Sequence, residues 1–156
     1  MARVFVSHSG KDAALADAVH RWLVDDGHEA FLDRDLYDGI RVGEQWERRL
    51  HERLRWADAM VCVLTSAYVA SVWCTAELAV ARSRGSRVLP VRAEAAVDHP
   101  LVKSLQHVDM TRDAPEVRVK LAAELRSCCA DAPAGPPGRM TARRSRACAP
   151  WTPTSN

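Results

Sequence analysis

At 156 residues, 47% of them hydrophobic and 27% charged, the chain can bury one core and is not a disordered polymer throughout. Its net charge of +2 belongs to the end of the chain. From Asp131 onward four arginines face one acid, so residues 1–130 carry −1, which excludes a broad nucleic-acid footprint in the body.

In chain order, "RVFVS" (Arg3–Ser7) predicts a strand buried on both faces. Leu15, Val19, Trp22 and Leu23 recur at helical spacing, with Ala18 on the same face; Asp12 precedes them as an N-cap or first-turn acid and Gly27 follows as a stop. "EAFL" (Glu29–Leu32) predicts a second strand, and Asp33–Gly43 a polar loop with two glycines. Trp46, Leu50, Leu54 and Ala57 form the next helical stripe. "AMVCVLT" (Ala59–Thr65) is a long apolar strand, followed by a serine-rich loop that becomes a helix ending near Gly85. "RVLPVR" (Arg87–Arg92) predicts a fourth strand whose Pro90 suggests a strand end or an irregular edge. "HVDM" (His107–Met110) predicts a short fifth, and Pro115 opens a last helix running to Leu125.

Strand and helix alternate about five times, which predicts a parallel sheet covered by helices on both faces, a three-layer α/β/α fold. At this length the flavodoxin-like order 2-1-3-4-5 is the expected topology. The expected domain is residues 1–130. Residues 131–156 hold prolines, glycines and arginines without a period; they read as a disordered basic tail, or equally as a truncated linker to a further domain.

Five cysteines stand at irregular spacing with no CxxC pair, so no metal site is expected, and Cys62 in an apolar run reads as a buried small hydrophobe. The first apolar run is too short for a signal peptide, and nothing approaches the roughly 20 apolar residues of a membrane span. A reducing cytoplasm is the expected location, with secretion into a host as the alternative. No membrane or nucleic-acid partner is expected.

In doubly wound sheets ligands bind beyond the carboxyl ends of the strands, where the strand order reverses. Here that crevice lies between the first and third strands. It would expose Ser7, His8, Ser9, Gly10, Lys11 and Asp12 from the first, and Thr65 to Ser71 with Tyr68, then Trp73 and Glu77, from the third. Trp73 and Glu77 are four apart and so neighbours on one helical face. The Asp33–Gly43 loop borders the same edge.

Three motifs in this crevice resemble one family. "FVSHSGKD" resembles the first box of Toll/interleukin receptor (TIR) domains, "FLDRDLYDGIRVGEQW" their BB loop, and "SVWCTAEL" the S-x-W-C-x-x-E-L signature of their third helix. Order and spacing agree, and the resemblance covers about residues 1–128. It implies the same flavodoxin-like fold. It also implies two uses: scaffolding between TIR domains, or cleavage of NAD between nicotinamide and ribose, as in many bacterial and plant members. In the enzymes the glutamate of this motif is essential, and Glu77 is the matching residue. The implied activity is therefore NAD+ hydrolysis of the bacterial type, giving ADP-ribose or a cyclic product, in defence or virulence. NAD would be the substrate and no cofactor is expected. Self-association through the loop that carries Asp33, Asp35, Gly39 and Gly43 would complete the site. The alternative is a non-catalytic TIR–TIR adaptor. A phospho-receiver on the same fold fails, because "SHSGKD" and "TSAY" stand where it needs acids.

The candidate residues keep plainer readings beside these. Ser7, His8, Arg34, Trp73 and Tyr68 are candidate substrate contacts. The plainer alternatives are a turn cap for His8, a core anchor for Trp73, and a solvated side chain or a contact to a neighbouring subunit for Arg34. Asp12 reads as a cap and Lys11 as solvated. His51, His99 and His107 form no ligand spacing with acids or cysteines.

Overall fold

The computed structural model describes residues 1–32, 46–111 and 114–130. Five strands, β1 (Arg3–Ser7), β2 (Glu29–Leu32), β3 (Ala59–Leu64), β4 (Arg87–Arg92) and β5 (Val108–Asp109), form one sheet in the order β2-β1-β3-β4-β5. All neighbouring pairs are parallel. Among the described residues five α-helices accompany them: α1 (Ala13–Asp25), α2 (Trp46–Trp56), α3 (Ser66–Ala70), α4 (Val72–Ser83) and α5 (Ala114–Ala130). The expected topology is the observed one.

Strand parity divides the core. Val4 and Val6 of β1, with Ala59, Val61 and Val63 of β3, pack with Val19, Leu23, Leu121 and Leu125 of α1 and α5. Phe5 of β1, with Met60, Cys62 and Leu64 of β3, packs with Leu54, Tyr68, Cys74 and Leu78 of α2, α3 and α4. Every residue of β3 is buried, which is why its sequence shows no polar alternation. Fully burying one such Val or Leu is worth about 1.5–3 kcal/mol, so the two layers carry the stability. Ser7 shares the parity of Phe5 and therefore faces the α2–α4 layer.

Both α1 and α4 end in the same way. Gly27 (φ 81°) and Gly85 (φ 70°) take the left-handed conformation. The next residue's N–H reaches back to Leu23 O in one case and Ala81 O in the other.

Four details differ from the expectations. The serine-rich loop is a short helix, α3, whose N-cap Thr65 accepts from Tyr68 N; Ser71 then caps α4 by accepting from Cys74 N. Asp12 closes a 3-10 turn over Gly10–Asp12 and makes no cap bond; its carboxylate instead accepts from Thr65 Oγ1 at 2.5 Å. Pro90 lies inside β4, opposite Cys62, and is tolerated because β5 begins to pair only at Val91. The last helix runs on to Ala130. Residues 131–156 lie outside the described part of the chain.

Candidate functional site

The site begins with a polar residue in an apolar stripe. On α4, Cys74, Glu77, Leu78 and Ala81 are buried, spaced as one helical face against the sheet. Glu77 therefore stands where periodicity calls for an apolar side chain, and it is only 3% exposed. Buried carboxylates need hydrogen-bond partners, because desolvating the charge is costly.

Ser7 supplies one partner. It ends β1, faces the α4 layer by parity, and its Oγ donates to Glu77 Oε2 at 2.5 Å. The Ser7 oxygen lies 3.0 Å from the Tyr68 hydroxyl. One turn before Glu77, the Cys74 thiol donates to the His8 carbonyl at 3.4 Å. Cys74 and Glu77, three apart on α4, thus tie to His8 and Ser7, adjacent at the end of β1. The C-x-x-E spacing matches that docking.

Burial shapes the chemistry of the neighbours. It pushes the Tyr68 phenol well above its ordinary value and the Cys62 thiol up to about 12, so both stay protonated. His99 is buried, sits edge-on to the Tyr68 ring with centroids 6.2 Å apart, and lies 3.1 Å from Thr75 Oγ1. Its Nδ1 accepts from Leu101 N, so in the neutral ring Nε2 carries the proton toward Thr75. Desolvation lowers its pKa and favours that neutral form.

Of the candidate residues, Ser7, His8, Tyr68 and Glu77 come together at the carboxyl ends of β1 and β3. Trp73 is 41% exposed, beside Val72, so the core-anchor reading of Trp73 is set aside. Tyr68 is fully buried, Ser7 is 1% exposed and His8 3%, so all three are enclosed with Glu77, and the Ser7 and Tyr68 hydroxyls lie against each other. Arg34, Asp33, Asp35, Gly39 and Gly43 lie outside the described residues. Sequence reasoning passed over His99 and Thr75, which no ligand spacing marks. It also missed the Thr65–Asp12 bond, although both residues border the crevice. Among the described residues no helix is long and apolar enough to cross a membrane, and no group of three or more His, Cys, Asp or Glu gathers to hold a metal ion.

Comparison with known proteins agrees with this geometry. The family model described as TIR domain matches residues 4–124. The TIR domain of a Toll-related receptor from Hydra magnipapillata is similar at TM-score 0.66 and 13% identity, over 81% of this chain and 99% of that one. A prokaryotic SEFIR domain is similar at TM-score 0.60 and 14% identity, over 80% and 99%. The TIR domains of the activated Roq1 resistosome are similar at TM-score 0.55 and 17% identity, over 81% and 98%. At such identities the likeness concerns the fold alone. No curated protein sequence matches the chain.

Proposed function

The chain belongs to the TIR domain family, and from that premise we propose that it cleaves NAD+ between nicotinamide and ribose, with Glu77 as the catalytic carboxylate. One observation carries the reading. A core-facing helical stripe contains an acid, 3% exposed, at the switch point of the sheet, tied to the end of β1. A buried charge of this kind weakens a fold or at best leaves it unchanged, so its presence asks for a chemical reason.

The chemistry suits a single carboxylate. Nicotinamide in NAD+ is a cationic pyridinium and departs as a neutral molecule. It needs no proton from a general acid, unlike the sugar oxygen of ordinary glycosides, which calls for a carboxylate pair. Positive charge develops on the ribose, and an ionised Glu77 stabilises it by preorganised electrostatics. A group of this kind is worth about 3 kcal/mol, roughly 10²-fold in rate. Trp73, partly exposed, is suited to cover a bound ring or exclude water. His8 and Arg34 remain proposed substrate contacts, Arg34 toward the pyrophosphate. As nicotinamide leaves with the bonding pair, water adds to the ribosyl carbon and loses one proton to give ADP-ribose, or a nucleophile of the same molecule closes the ring to give its cyclic form; the expected setting is defence or virulence signalling.

Assembly belongs to the same proposal. TIR–TIR contact through the loop with Asp33, Asp35, Gly39 and Gly43 would complete the site between copies. The test is concentrated or tethered protein incubated with NAD+, with nicotinamide release followed by chromatography. Release that falls by about 100-fold in Glu77→Gln supports the enzyme. Full release in that variant removes Glu77 from the mechanism, and no release even from tethered assemblies favours a TIR–TIR adaptor.

A further inference from the structure

We propose that Tyr68 and Ser7 are positioning residues for Glu77: their hydroxyls form a one-way hydrogen-bond chain, Tyr68 to Ser7 to Glu77, that keeps the carboxylate ionised and in one orientation. The role for catalysis rests on the proposed NAD+ cleavage; the chain itself rests on geometry.

The direction follows from counting protons. An ionised carboxylate only accepts. With Glu77 ionised, the single hydroxyl proton of Ser7 goes to Glu77 Oε2, 2.5 Å away. Ser7 Oγ then has only lone pairs for its second neighbour, so the Tyr68 hydroxyl, 3.0 Å away, must donate to it. Tyr68 is a fixed donor. It is fully buried, its N–H is held by Thr65 Oγ1, and its ring meets His99 edge-on. Burial keeps its phenol protonated, so the donor is not lost near neutral pH.

Each link comes from a different element: Tyr68 from α3, Ser7 from β1 and Glu77 from α4. The chain therefore docks three segments while it orients the acid. Donors aimed at the charged form of a carboxyl lower its pKa, and aligned hydroxyls strengthen one another. Among the described residues, the titratable groups next to the chain include His8 beside Ser7, Cys74 on α4, Cys62 on β3 and His99 against the Tyr68 ring. Cys62 and the neutral His99 add no charge near pH 7.

The experiment reads Glu77 directly. The full chain is labelled with ¹³C-glutamate, and the side-chain carboxyl signal that disappears in Glu77→Gln is titrated. The titration midpoint should rise by about half a pH unit in Tyr68→Phe and by about one unit in Ser7→Ala, as donors to the charged form are lost. With NAD+, kcat should fall about tenfold in Tyr68→Phe with KM within twofold, and the acid limb of the rate profile should move up with the NMR midpoint. An unmoved midpoint in the folded variants overturns the chain, as does a raised KM with an unmoved midpoint. If Tyr68→Phe does not fold, the midpoint in Ser7→Ala decides between the same two outcomes. A midpoint that moves in a protein that cleaves no NAD+ leaves the chain standing and removes the NAD+ reading alone.

Discussion

Ser7 and Glu77, separated by 70 residues in the chain, meet through a 2.5 Å hydrogen bond that fastens the end of β1 to the buried face of α4. A strand end and a helix face are joined by a polar contact inside an otherwise apolar layer. Function and stability are expected to pull apart at this contact.

Replacing the carboxylate by an unbranched apolar side chain tests that separation. In Glu77→Met the Ser7 and Tyr68 hydroxyls can still pair with each other. The unfolding free energy should be unchanged or higher by about 1 kcal/mol, since buried charges replaced by hydrophobes of similar volume are often neutral or stabilising. Urea denaturation measures this, with NAD+ cleavage assayed in parallel and expected to be lost. A stability loss above about 2 kcal/mol would make the acid a structural element instead.

The Thr65 hydroxyl has two duties. It accepts from Tyr68 N as the cap of α3 and donates to Asp12. Thr65→Val keeps the shape and removes both, so it should cost roughly 1–2 kcal/mol. Asp12→Ala keeps the cap, removes the acceptor of the second bond and should cost less. Chemical denaturation of the pair separates the two bonds. Equal losses in both would show that the cap carries none of the effect.

Arg3 and Asp58 join the outer end of β1 to the turn before β3, at 2.8 Å. The Arg3 guanidinium holds the Asp58 carboxyl below its usual range, mainly by hydrogen bonding. The folded pKa is depressed, so the stabilisation is complete above the unfolded value near pH 4 and is lost as pH falls through the lower folded value. Both side chains are more than 40% exposed, so solvent screens the pair and Asp58→Ala should cost under about 1 kcal/mol at pH 7. The difference from the parent protein should shrink progressively as pH falls below the unfolded value near 4, as followed by denaturation at each pH.

His99 should give stability a slope at mildly acidic pH. Burial lowers its pKa in the folded state, so folding favours the neutral ring. Its contribution is complete above the unfolded value of about 6.5 and is lost as pH falls from there toward the folded value. Protonated Nδ1 can no longer accept from Leu101 N. His99→Asn keeps an acceptor that does not titrate. Its stability between about pH 6.5 and 5 should vary less than that of the parent protein. His28, also lowered by burial, leaves a residual slope of the same sign. An unchanged slope in His99→Asn would assign the whole effect to His28 and other groups.

The layout of the sheet was legible because it is written in local pattern. Apolar runs at Arg3–Ser7 and Ala59–Leu64, helical spacing in α1 and α4, and glycine stops at Gly27 and Gly85 each depend on neighbours in the chain. Glu77 was legible for the same reason: an acid four residues after Trp73, in an apolar run, at a place that topology sets beside the crevice. The parity of β1, already visible in "RVFVS", also points Ser7 toward the α4 layer once the layers are known. Thr65 was read as the end of a strand and Asp12 as a cap, because a bond between residues 53 apart leaves no local trace.

The strand–helix order, the parallel sheet and the neighbourhood of the acid follow from local pattern, since periodicity and turn chemistry act over a few residues. Which groups surround Glu77 was set by the packing of distant segments. It set the Ser7 hydroxyl on Glu77 with Tyr68 beside it, brought His99 against Tyr68, and left Trp73 partly exposed. A hydrogen bond depends on distance and direction in space, and both are set only when β1, α3 and α4 pack on the same face of the sheet.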